Sequence, residues 1–229
     1  VQDEDYTQPF FNALPAAVVA LAFAIFAVEV VLTLADRGIL GGPQGIGWRV
    51  DAIREFSFFP PLLSWAFETG TWSGDVLKRF VTYPFIHGGF THAAFVIVFL
   101  LALGKLVGEV FGNFAVLVLF FACGVFGAFV YAGLTGSDRP LIGGFPSTYG
   151  MIGAYTFVLW VRLKAAGQNE YQAFTLIGFL VAIQLVFGIF FTVGYDWVAD
   201  IAGFAMGFVL TPALVPGAFR RFVDRMRHR

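Results

Sequence analysis

Apolar residues in this chain come in runs close to 20 long, separated by short polar or glycine-rich stretches. A run of that length crosses a bilayer as an α-helix. The first, PAAVVALAFAIFAVEVVLTLA, ends at Ala35 and carries one charge, Glu29. It exceeds the roughly 7–15 residues of a signal-peptide core, so it is expected to stay in the mature protein. A second run begins near Phe90 and is predicted to end in the glycine-spaced, basic turn 104–112. A third covers 114–134 without a charge, a fourth 143–160, a fifth 174–195 with Gln184, and a sixth 197–215 with Asp200. The pattern predicts an all-α polytopic membrane protein of six transmembrane helices.

Between the first and second runs lies a connection, 36–83, too amphipathic to cross a membrane. Its segment GWRVDAIREFSFFPPLLSWAF mixes charged and bulky apolar residues as an interfacial helix does. Trp48, Trp65 and Trp72 suit the headgroup level. The stretch is read as a long, membrane-associated first outer loop. Lys105, Arg162, Lys164, Arg220, Arg221, Arg225, Arg227 and Arg229 fall on one face of a six-span topology. By the positive-inside rule that face is cytoplasmic, and both termini lie there. The expected organisation is a cytoplasmic tail (1–12), a membrane domain (13–215) and a basic cytoplasmic tail (216–229).

Composition agrees. Hydrophobic residues make up 59% of the 229 and charged residues 13%, about half of the ~25% usual for a soluble domain. The one cysteine, Cys123, excludes an internal disulfide, a CxxC pair and a cysteine zinc site. No basic patch of nucleic-acid type occurs, so no nucleic-acid partner is expected and the chain's surroundings are membrane lipids.

Four ionisable side chains then stand out by depth. His87 and His92 enter the second span from outside, Asp200 lies just inside the sixth, and Glu29 lies six residues before the outer end of the first. At 1.5 Å rise per residue all sit within about 10 Å of the outer surface, close enough to share one polar pocket. Such a cluster serves acid–base chemistry or a proton or ion path through Glu29, Asp200, His87 and His92. It serves equally as a set of internal partners, because an unpaired carboxylate in the bilayer costs about 2.5–3.5 kcal/mol. A five-residue spacing puts two histidines about 140° apart on a continuous helix, unlike the i, i+4 pair of helical zinc sites; no metal and no cofactor is expected. Gly104, Gly108 and Gly112, and Ala199, Gly203 and Gly207, have the small-residue spacing that lets helix backbones touch, within the bundle or against a partner. Ser147 is the one serine near the outer end of a core helix, hence the one candidate nucleophile.

The layout and the paired histidines resemble the rhomboid superfamily, the intramembrane serine proteases, in the short bacterial six-helix form, over about 76–210. In that family the second helix carries His-x4-His-x3-Asn; here His87 and His92 match and Val96 stands at the Asn. The fourth helix opens with Gly-x-Ser-Gly ahead of Gly-x-x-Gly. With Gly150-Met151-Ile152-Gly153 fixing the register, Phe145 falls at the nucleophile. The sixth helix has a His before a small-residue run ending Gly-x-x-x-Gly, and Asp200 replaces it ahead of Gly203 and Gly207. Lys78-Arg79 stands at the family's Trp-Arg, and Gly108, beside Glu109, at a glutamate.

The resemblance therefore implies a rhomboid scaffold at the bacterial inner membrane without the Ser-His dyad. The expected function is a pseudoprotease that binds transmembrane segments of other proteins, as client adaptor or as accessory subunit of a membrane complex. An unconventional protease using Ser147 is the alternative. Ser147 sits two residues past position 145, about 200° around a helix, and is expected to point elsewhere.

Overall fold

The computed structural model describes residues 13–190 and 194–215, and for 185–190 the backbone alone. The predicted tails, 1–12 and 216–229, lie outside the described residues. The described chain is helical: α1 (Ala16–Asp36), α2 (Trp48–Phe56), α3 (Pro60–Thr69), α4 (Gly74–Thr82), α5 (Phe90–Thr135), α6 (Phe145–Ala165), α7 (Thr175–Phe190) and α8 (Asp196–Leu214). Among the described residues three helices, α1, α5 and α8, are long and apolar enough to cross a membrane.

Helix α5 is two legs. At 46 residues a straight helix would be about 69 Å long, more than twice the ~30 Å hydrocarbon core. Gly112 breaks it with φ 83° and ψ 174°, a conformation that costs glycine little because it has no Cβ. The chain then doubles back: a Cβ on Gly108 would stand 3.2 Å from Val116 and 2.5 Å from Pro15. Asn113, just past the turn, accepts a hydrogen bond from the Ala17 N–H (3.0 Å), satisfying one of the free donors at the start of α1. The turn predicted over 104–112 is thus a single residue. Gly104 and Gly108 stay helical because their missing side chains make room for Val18 and Pro15 of the α1 end.

Helix α6 forms the centre. Every residue from Pro146 to Ala154 is buried, as expected of a helix surrounded by others. Glycines allow this crowding. A Cβ on Gly203 of α8 would collide with the Pro146 carbonyl, one on Gly207 with the Gly150 carbonyl, and one on Gly153 with the Phe204 carbonyl. The Ala199 carbonyl faces Gly127 of α5, 2.8 Å from where its Cβ would stand.

The first loop is three short helices rather than one interfacial helix. The break comes at Ser57 and Phe58, where Phe58 leaves the helix to pair with Leu141 through two backbone hydrogen bonds (3.1 and 2.8 Å). Pro60 and Pro61, unable to sit inside a helix, open α3 instead. Buried Arg79 donates to the Arg54 and Ser57 carbonyls (2.8 and 3.0 Å), closing the C-terminal end of α2. These contacts fix the loop ahead of α6, where the candidate site begins.

Candidate functional site

His87 lies outside α5, in the turn that leads into it, so the separation expected on a continuous helix does not apply. Gly88 and Gly89 bend the chain and bring the two imidazoles edge to face at 4.9 Å between centroids. His87 is fully buried; its Nε2 accepts from the Gly144 N–H (3.3 Å), and its Nδ1 has no partner among the described residues. His92 faces Gly143, where a Cβ would stand 2.5 Å from its Nε2. Gly143 has φ +90° and gives its N–H to the Tyr83 carbonyl (3.0 Å). Only glycine meets both demands, an open left-handed backbone and no side chain against the ring.

Phe145, the first residue of α6, covers His92. The two rings are nearly parallel, 17° apart in plane and 5.2 Å between centroids. Phe99 of the first α5 leg and Tyr149, one turn along α6, meet Phe145 edge-on at 6.5 and 6.4 Å. Val96 is buried behind them and would be 2.9 Å from a Cβ on Gly144. An aromatic and aliphatic wall occupies the space in front of His92.

Ser147 points elsewhere, as the helical geometry predicts. Its Oγ is buried without a hydrogen-bond partner, 2.7 Å from where a Cβ on Gly124 would be. The Tyr83 hydroxyl lies on the same side and donates to the Gly124 carbonyl (2.7 Å). Among the described residues no imidazole is hydrogen-bonded to Ser147.

Of the four ionisable groups expected to share one pocket, Glu29 and the histidine turn are linked through Arg49, and Asp200 is held by a different helix. Glu29 is gripped by Arg49 of α2 through two hydrogen bonds (2.9 and 3.0 Å) and accepts a third from Thr33 (2.8 Å). Arg49 also bonds the His87 carbonyl (2.8 Å) and Asp36 (2.7 Å), so one guanidinium ties α1, the outer loop and the histidine turn together. Asp200 accepts from the Gln184 amide of α7 at 3.0 Å. Among the described residues no hydrogen bond or ion pair joins Asp200 to either histidine, and no group of three or more His, Cys, Asp and Glu is placed to hold a metal ion.

Residues 74–217, more than half of the chain, match the Rhomboid domain family. The chain belongs to the rhomboid family. No curated protein matches this rhomboid. The matched region begins with α4 and reaches past α8, so it contains both histidines, position 145, Ser147 and Asp200.

Arg49 and Gln184 are the site residues that sequence reasoning missed. Arg49 gives no signal, because an arginine on an amphipathic surface helix reads as solvated. Gln184 does, as the one amide within its apolar run, and its partner could have been sought in the next span at equal depth.

Proposed function

We propose that this rhomboid is a non-catalytic membrane protein that binds transmembrane segments of other membrane proteins, as a client adaptor or as an accessory subunit of a membrane complex. The observation that carries the reading is the stack of Phe145 on His92 at the family's nucleophile position. Acyl transfer requires a nucleophile, a base within hydrogen-bond reach and donors at the developing oxyanion. A phenyl ring offers no nucleophile, Asp200 at the base position is engaged by Gln184, and Val96 at the asparagine position donates nothing. What is left is a helix scaffold whose protease-site positions are filled by packed rings.

The bundle crosses the inner membrane of a bacterium six times in this reading, through α1, both legs of α5, α6, α7 and α8, with both termini cytoplasmic. A partner helix enters between the first leg of α5 and α7. Helix α7 packs on the core through Ile177, Leu180 and Val181 and turns Phe179 and Ile183 outward. Purification in mild detergent, followed by identification of what accompanies the protein, tests the reading. A recurrent membrane protein whose association is lost on Phe179→Asp, at that outward-facing ring, supports it; purification alone under all conditions overturns it.

A serine hydrolase built on Ser147 is the competing reading, favoured by the buried, unpartnered Oγ. A fluorophosphonate probe that labels the wild type and not Ser147→Ala would establish it in place of the first.

A further inference from the structure

Two carboxylates are buried among the described residues, Glu29 and Asp200. Glu29 has a cation, Arg49, at 2.9 Å. Asp200 has none; its one hydrogen bond comes from the neutral Gln184 amide. Among the described residues, the helices packed around it carry no cation near its depth. No lysine, arginine or histidine occurs from 165 to 219, which covers α7 and α8, or from 106 to 138, which covers the second leg of α5. The basic residues of α6, Arg162 and Lys164, are in its last turn, far from the Phe145 end.

The surroundings are acceptors and rings. Among the described residues Gln184 Oε1 is buried without a donor, so the amide that serves Asp200 leaves its own acceptor unsatisfied. On α6, Tyr149 continues into Phe145 and Phe99 through edge-to-face contacts. A buried carboxylate without a cation attracts one through its charge. A group with several N–H donors and a positive charge satisfies all of these at once, and in a membrane that group is a lysine or arginine side chain.

We propose that the transmembrane segments bound by this rhomboid carry a lysine or arginine at the depth of Asp200, and that this cation takes Asp200 and Gln184 as its acceptors. The inference rests on the helix-binding function and adds the chemistry that selects the helix. The pairing relieves two costs together, an unpaired carboxylate on the rhomboid and an unpaired cation on the partner.

The test uses the full chain in lipid nanodiscs and synthetic leucine–alanine helices. Each helix carries one lysine at a successive position, with matched helices bearing glutamate or leucine there. Binding is expected to peak at one lysine depth, to exceed the leucine helix about tenfold or more, and to vanish for glutamate. Asp200→Asn, which keeps the shape and the hydrogen bond, is expected to lower the lysine helix to the level of the leucine helix. Equal binding of lysine and leucine helices at every depth overturns the selectivity and leaves helix binding standing. That is also the result if Asp200 is a neutral acid satisfied by Gln184. Failure to bind any helix overturns both. If Asp200→Asn does not fold, the depth and charge profile of the wild type decides.

Discussion

The phenyl ring of Phe145 lies over the imidazole of His92, 5.2 Å between centroids and 17° from parallel. Any substrate carbonyl approaching His92 from that side meets a hydrocarbon surface. In the proposed reading, a hydroxyl at position 145 alone leaves Asp200 and Val96 in place of a base and an oxyanion donor. Phe145→Ser is therefore expected to stay unlabelled by a fluorophosphonate probe, and to lose at least the about 0.5–1.5 kcal/mol of an aromatic pair. Labelling of that single variant would show that the remaining groups suffice for hydrolysis.

Arg49 and Glu29 form an ion pair with 12% and 2% of their side chains exposed. Removing one partner strands the other, which costs about 3–5 kcal/mol for buried pairs. Arg49→Ala and Glu29→Ala should each lower the thermal midpoint in detergent strongly. The combination Glu29→Leu, Arg49→Leu should recover part of the loss, because no buried charge is then left unpaired and Asp36, at 39% exposure, is solvated. Additive losses in a double-mutant cycle would mean the two residues act independently.

Gly207 and Gly133 are both helical glycines with opposite surroundings. A Cβ on Gly207 collides with the Gly150 carbonyl, whereas one on Gly133 meets nothing within 4 Å. Gly207→Ala is expected to push α8 off α6 and reduce the yield of folded protein. Gly133→Ala should be neutral or stabilise by up to about 1 kcal/mol, the usual gain for replacing an unconstrained helical glycine. Equal behaviour of the two in expression and melting would remove the close approach of α6 and α8.

Asp75, at the start of α4 on the outer loop, is hydrogen-bonded by Lys78 and Arg79. The Lys78 ammonium, foremost, holds its carboxyl below the ordinary 3.8. A carboxyl depressed in the folded state binds fewer protons than in the unfolded chain, so its contribution is present above the unfolded pKa and lost as pH falls through the folded one. The effect is small because the side chain is 46% exposed and solvent screens it. Melting points measured from neutral pH down through the carboxylate range should fall slightly less for Asp75→Asn than for the wild type. Parallel curves would mean the loop ion pairs are thermodynamically silent.

The apolar runs are readable from the chain because lipid solvent demands about 20 residues per crossing, and the described helices follow them. The doubling of α5 is not readable in detail. Gly104, Gly108 and Gly112 share one spacing, and only the backbone conformation of Gly112 sets it apart. The positions of His87, His92, Val96, Phe145 and Asp200 are legible as a motif with replaced members. Their grouping is not, since Glu29 and Asp200 each found a partner by distance in space: Arg49 on a surface helix, and Gln184 sixteen residues away on the neighbouring one. Phe58 and Leu141 pair across the molecule without any side-chain signature, because the bond is made by backbone.

The one-residue turn at Gly112 also bears on how the protein is made. A reversal this tight leaves no slack between the legs of α5, nothing that could wait in the aqueous phase while one leg enters the lipid ahead of the other. The two legs are therefore joined as one hairpin, and any side chain at position 112 is strained by the positive φ although the space beside it is open.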